Sequence, residues 1–132
     1  MSKTIMLVKY TTVDTYLSEN ESNVIDQLDI SDEIASILSI DDIKTKISIQ
    51  EEDSKDLYTS YSLNIIDIPK IIKICEDAAI NISTHLSNGI INDKERNDSF
   101  DKLTAILTVR KILRKKLFKF SNNSDVCIIV EG

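Results

Sequence analysis

Hydrophobic positions recur at helical spacing through much of this chain. The clearest run is DIPKIIKICEDAAINISTHLSNG, where Ile68, Ile71, Cys75, Ala78, Ala79, Ile82 and Leu86 mark one wide apolar face, with Ile72 and Ile74 on its flanks. The spacing predicts a helix over about residues 68–87. Asp67 can cap it, Pro69 is tolerated in a first turn whose amides have no intrahelical acceptor, and Gly89 follows the end. Small side chains at Cys75, Ala78 and Ala79 invite close neighbours, so the helix is expected to be central and buried.

The remaining runs are read in the same way. Residues 3–17 are rich in β-favouring Thr, Val, Ile and Tyr, yet Met6, Tyr10, Val13 and Leu17 fall on one helical stripe. Ile5, Val8 and Thr12 form a second face, and a helix with two apolar faces suggests a partner. Short helices are expected around Val24, Ile25 and Leu28, with Ser22 as cap; through DEIASILSI after Ser31; and through DDIKTKISI after Ser39 or Asp41. Residues 50–62 lack an apolar period and read as a loop. A long helix starts near Asp93 or Asn97 and runs to about Phe120, with Leu103, Ile106, Val109, Leu113, Leu117 and Phe120 as its stripe. Residues 1–121 form one domain, and 122–132 a polar, briefly strand-like tail.

Composition sharpens the fold class. Two glycines and one proline are few for a chain of 132 residues, and tight β turns draw on both, which points to an all-α protein. The net charge of −6 argues against a general nucleic-acid binder. Two cysteines make no disulfide framework, and no apolar run is long enough to span a bilayer, so a reducing intracellular setting is expected.

Candidate chemistry is sparse. One histidine, His85, and cysteines without neighbours at ligand spacing exclude a recognisable metal motif, and a glycine-rich phosphate loop is absent. Nothing pairs two carboxylates in an apolar run, so neither an enzyme nor a cofactor is expected. The basic stretch 110–119 admits nucleic-acid binding, but a solvated helix face closing onto the acidic first half is preferred. Arg110, set among Ile106, Val109 and Leu113, either snorkels, pairs with a carboxylate or belongs to an interface.

The order of a double-faced first helix, the DEIASIL helix followed by Asp42, Ile43 and Lys44, the helix IPKIIKICEDAAINI, and Ser99 and Phe100 opening SFDKLTAIL resembles the small poxviral Bcl-2-like virulence factors. That resemblance implies a Bcl-2-like helical bundle without catalysis, acting in the host cell cytoplasm against innate defence. Its partners would be BH-three helices of pro-apoptotic proteins, or adaptor and kinase proteins of NF-κB signalling. It maps a partner groove onto Ile34, Ile37, Leu38, Ile43, Ile47, Ile71 and Ile74, with Lys70 or Lys73 supplying the charge where the family has an arginine. It also implies a homodimer through Ile5, Val8, Thr12, Ile106 and Arg110. A nucleic-acid-binding helical protein and a purely structural oligomer are the alternatives.

Overall fold

Side chains at positions 5 and 7 face one way along the first segment and those at 6, 8 and 10 face the other, the period of a strand. The computed structural model, which describes residues 2–132, has β1 at Ser2–Val13 and β2 at Tyr16–Ser31, an antiparallel pair. Ile25 bulges between the pairs Leu7–Asp26 and Val8–Val24, and residues 19–22 bulge opposite Tyr10. The other strands are β3 (Lys44–Gln50), β4 (Leu57–Leu63) and β5 (Val126–Glu131).

These strands close into a barrel in the order β1-β2-β3-β4-β5, with β5 returning to β1 over six residue pairs, Thr4–Glu131 through Lys9–Val126. Among the described residues, the seam between β2 and β3 is the one parallel pairing, held by Leu17–Ile49 and Ser18–Gln50. Parallel neighbours need a crossover. Two short helices, α1 (Asp32–Ile37) and α2 (Ile40–Ile43), provide it, and the Ser31 hydroxyl caps α1 by accepting from the Ile34 amide at 3.2 Å.

Two longer helices follow β4. They are α3 (Ile68–Ser87) and α4 (Asp93–Arg114), which passes into a π-helical turn at Lys115–Lys119. Gly89 takes φ 80° just beyond α3, where a left-handed residue lets the chain reverse. The Asn92 side chain caps α4 by accepting from the Glu95 amide at 2.8 Å. Asp67 makes no such cap and pairs with Lys70 at 3.6 Å.

Buried side chains form two clusters on opposite faces of β1 and β5. The larger joins Ile5, Leu7, Ile128 and Val130 to Leu38 of the crossover, Ile68, Ile71 and Cys75 of α3, and Ile106, Val109, Ile112 and Leu113 of α4. The smaller comes from strands alone: Val8, Tyr10, Ile49 and Ile129, with Met6, Leu17, Ile47 and Cys127 against them.

The all-α expectation and the Bcl-2-like bundle are therefore overturned by a mixed α/β architecture in which helices pack on a closed five-stranded barrel. Separations of four residues, such as Met6 to Tyr10, satisfy both a helix and a strand, which is how the helical stripe in residues 3–17 arose. The helix expected around Val24 lies within β2, that expected through DDIKTKISI ends at Ile43, and part of the 50–62 loop is β4. Scarce glycine did not forbid turns, because Asp14, Ser39 and Asp53 adopt φ of 54–55° and Glu21 adopts 59°. The helix at residues 68–87 exists, yet only its first half is buried and it is not central.

Residues 122–132 are no appendage. Val126, Ile128, Ile129 and Val130 are each at most 2% exposed, and burial at about 1.5–3 kcal/mol per side chain makes them comparable with a whole domain's stability. Gly132 lies so close to the first strand that a Cβ there would sit 2.6 Å from the Ser2 carbonyl oxygen. Removing residues 122–132 is expected to abolish the cooperative thermal transition followed by circular dichroism. A truncated chain that still melts cooperatively near the full-length temperature would contradict this closure.

Candidate functional site

The helical pair is anchored at one end. Residues 68–75 of α3 and 106–117 of α4 and its π-helical turn supply buried side chains to the core, whereas between 76 and 105 no residue is buried and Ala78, Ile82 and Ala105 pack on it only partly covered. The twelve residues from 76 to the end of α3 extend about 18 Å at 1.5 Å per residue. They form, with the first half of α4, an arm whose inner face still meets the main core at the partly buried Ala78, Ile82 and Ala105. One ion pair, Lys102 Nζ to Glu33 Oε1 at 2.7 Å, ties the arm to α1.

The two sides of the arm differ in chemistry. On one, a cleft of about 470 Å³ is lined by Asn81, His85, Asn92, Glu95, Asp98 and Lys102, with His85 Nε2 3.1 Å from Glu95 Oε1. On the other, a shallow groove of about 460 Å³ runs between Ala79, Ile80, Ser83 and Ser87 of α3 and Leu103 and Leu107 of α4, with no charged side chain in its lining. Ile80 is 63% exposed and Leu107 45%; beyond the groove, Phe100 is 49% exposed and Ile90, at the tip, 96%.

The other features are structural. Burial pushes the Cys75 thiol up to about 12, so it stays protonated at neutral pH, and burial likewise raises Cys127. Burial is the main cause that raises the Tyr10 and Tyr58 hydroxyls, with nearby carboxylates such as Glu19 adding to it. Among the described residues, no group of three or more His, Cys, Asp or Glu side chains is arranged to hold a metal ion, and no helix is long and apolar enough to cross a membrane.

The residues assigned to a groove are divided between the main core, the strand cluster and the surface. Ile34, Leu38 and Ile71 are buried in the main core, with Ile43 and Ile74 packed against it, and Ile47 belongs to the barrel cluster. Ile37 is 38% exposed and Lys70 stands in solvent on α3. The residues assigned to a dimer interface are divided. Ile5, Val8 and Ile106 are buried within the monomer, Ile5 and Val8 on opposite faces of β1, while Thr12 is exposed. Arg110 is half-buried, donating to Glu76 Oε2 at 3.1 Å, and its Nε is buried with no partner. Sequence reasoning placed Leu103 in the core stripe and passed over Ile80 and Leu107. The available signal was that both are apolar positions lying off the buried stripes of their helices.

A small closed barrel carrying a two-helix arm defines the class of this protein. No family model, curated protein or solved structure matches the chain.

Two expectations follow from the division between anchored and free halves. Ile112→Ala, at a fully buried position, is expected to cost about 2–5 kcal/mol in denaturant unfolding, whereas Ile80→Ala stays within about 0.5 kcal/mol. Equal costs would mean that the arm is packed. The base of α4 carries the second. Lys115 donates to Asp26 Oδ2 of β2 at 2.8 Å, and that bond holds the Asp26 carboxyl below its usual range. Because the native value is lowered, the pair's contribution is complete above about pH 4 and is lost as pH falls through the native value. Asp26→Asn is therefore expected to flatten the acid limb of the stability profile below about pH 4. An unchanged limb would show that the pair is not coupled to folding.

Proposed function

We propose that this chain is a non-catalytic protein-binding module whose binding element is the α3–α4 arm. The observation that carries the reading is the uncharged groove between Ala79, Ser83 and Ser87 on one helix and Leu103 and Leu107 on the other, left open along an arm in which no residue is buried. A groove between two helices accepts a third helix through side chains one turn apart, and two such arms can join as a four-helix bundle. The small residues at 79, 83 and 87 fall one turn apart and permit close approach of a helix axis.

Self-association through this groove is the form of binding that the chain itself offers. The narrower expectation of BH-three or NF-κB-pathway partners came with the bundle resemblance, and the groove residues it invoked are now largely core. What the geometry supports is helix capture.

Sedimentation equilibrium tests this directly. Wild type is expected to form a dimer, and Ile80→Glu with Leu107→Glu a monomer with an unchanged far-ultraviolet spectrum, since both positions already face water. A wild-type chain that stays monomeric, or a double variant that still dimerises, would rule out self-association through this groove.

A further inference from the structure

The second unusual surface lies at the opposite end of α4 from the arm's tip and is independent of the groove. Arg110, Lys111, Arg114, Lys115, Phe118 and Lys119 line a shallow depression of about 370 Å³ in a chain whose net charge is −6. Two of these cations are already matched, Arg110 by Glu76 at 3.1 Å and Lys115 by Asp26 at 2.8 Å. Lys116, which follows them in sequence, is turned inward and donates to the carbonyls of Phe120 and Asn123 at 3.1 and 2.9 Å. Lys111, Arg114 and Lys119 remain, all exposed and without a salt bridge among the described residues, although Lys111 adds to the field that lowers the Asp26 carboxyl and Lys119 lies 5.5 Å from the Phe120 ring centroid.

Phe118 makes the patch more than a solvated helix end. Its ring is 65% exposed, and the Arg114 guanidinium lies over it, 4.7 Å from the centroid. The stack holds the guanidinium fork in place and presents an apolar edge beside it. Helix-dipole compensation accounts for cations in a last turn but not for a large aromatic ring left in water among them.

We propose that this patch binds an acidic peptide segment of a partner protein, with Arg114, Lys111 and Lys119 taking carboxylates and Phe118 packing against an apolar side chain between them. Carboxylates are favoured over a phosphate backbone for two reasons. Within the patch, Arg110 and Lys115 already receive carboxylate oxygens from the chain's own Glu76 and Asp26, so the surface accepts that geometry. A nucleic acid would also extend past these three exposed cations onto a surface that is negative overall, where its next phosphates are repelled.

The probe is a fluorescein-labelled synthetic peptide rich in Glu and Asp with one central leucine, titrated with the full chain and followed by polarisation. Saturable binding that weakens with added salt is expected. Arg114→Glu with Lys119→Glu should weaken it at least about tenfold at an unchanged melting temperature, and a Lys-for-Glu version of the peptide should recover binding to that variant. Phe118→Ala should weaken it severalfold without changing the salt dependence. Absence of saturable binding, or equal binding by the charge-reversed variant, overturns the proposal. Tighter binding of a labelled oligothymidine strand at the same salt overturns it in favour of nucleic acid. Loss of self-association in the charge-reversed variant overturns it in favour of a second copy of the chain.

Discussion

Pairing between the first and last strands is the interaction on which the remaining structure depends. β1 is hydrogen-bonded on both edges, to β2 along nearly its whole length and to β5 over six pairs, and the backbone of Tyr10 extends the seam by donating to the Asp125 carbonyl at 2.8 Å. Without β5, the edge of β1 is open, the barrel cluster around Ile129 faces water, and the helices lose the floor formed by Ile128 and Val130. The contact joins residues more than a hundred positions apart; Lys3 Nζ reaches the Gly132 carbonyl at 3.1 Å. Closure must therefore await nearly the whole chain, which makes this a slow-folding topology for its size.

The same closure explains why an arm exists at all. Helices α3 and α4 span β4 to β5, and only one end of that excursion is needed to cover the sheet. The other end is held by helix–helix contact, by the Asn92 cap and by the reversal at Gly89. Of its apolar side chains, Ala78, Ile82 and Ala105 reach the core, while Ile80, Ile90, Phe100 and Leu107 stay in water. The basic end of α4, by contrast, sits on the barrel, where Lys115 pairs with Asp26 of β2.

Helices were legible in the sequence where period and punctuation agreed. The stripes of residues 68–87 and of 103–120, and the stop at Gly89, correspond to α3, α4 and the turn between them. Strands were not, because β1 offered separations of four that fit either period, and bulges at Ile25 and residues 19–22 break the alternation of β2. Turn chemistry misled as well. Asp14, Ser39 and Asp53 occupy left-handed positions that glycine usually fills, so a low glycine count was taken as a sign of helices. The exposed arm was invisible for a different reason: Leu103 continues the stripe of Ile106 and Val109, and periodicity records that a face is apolar without recording where the scaffold beneath it ends.

Hydrogen exchange read by mass spectrometry tests the central claim, that the terminal strands close a barrel from which half a helical pair projects. Amides of β5 are expected to exchange as slowly as those of β1, at the rate of global unfolding, while amides between residues 80 and 100 exchange much faster through local opening. Rapid exchange in residues 126–131 together with the slowest exchange across the whole of 68–87 would contradict the account. It would restore a helix-centred protein with a loose tail.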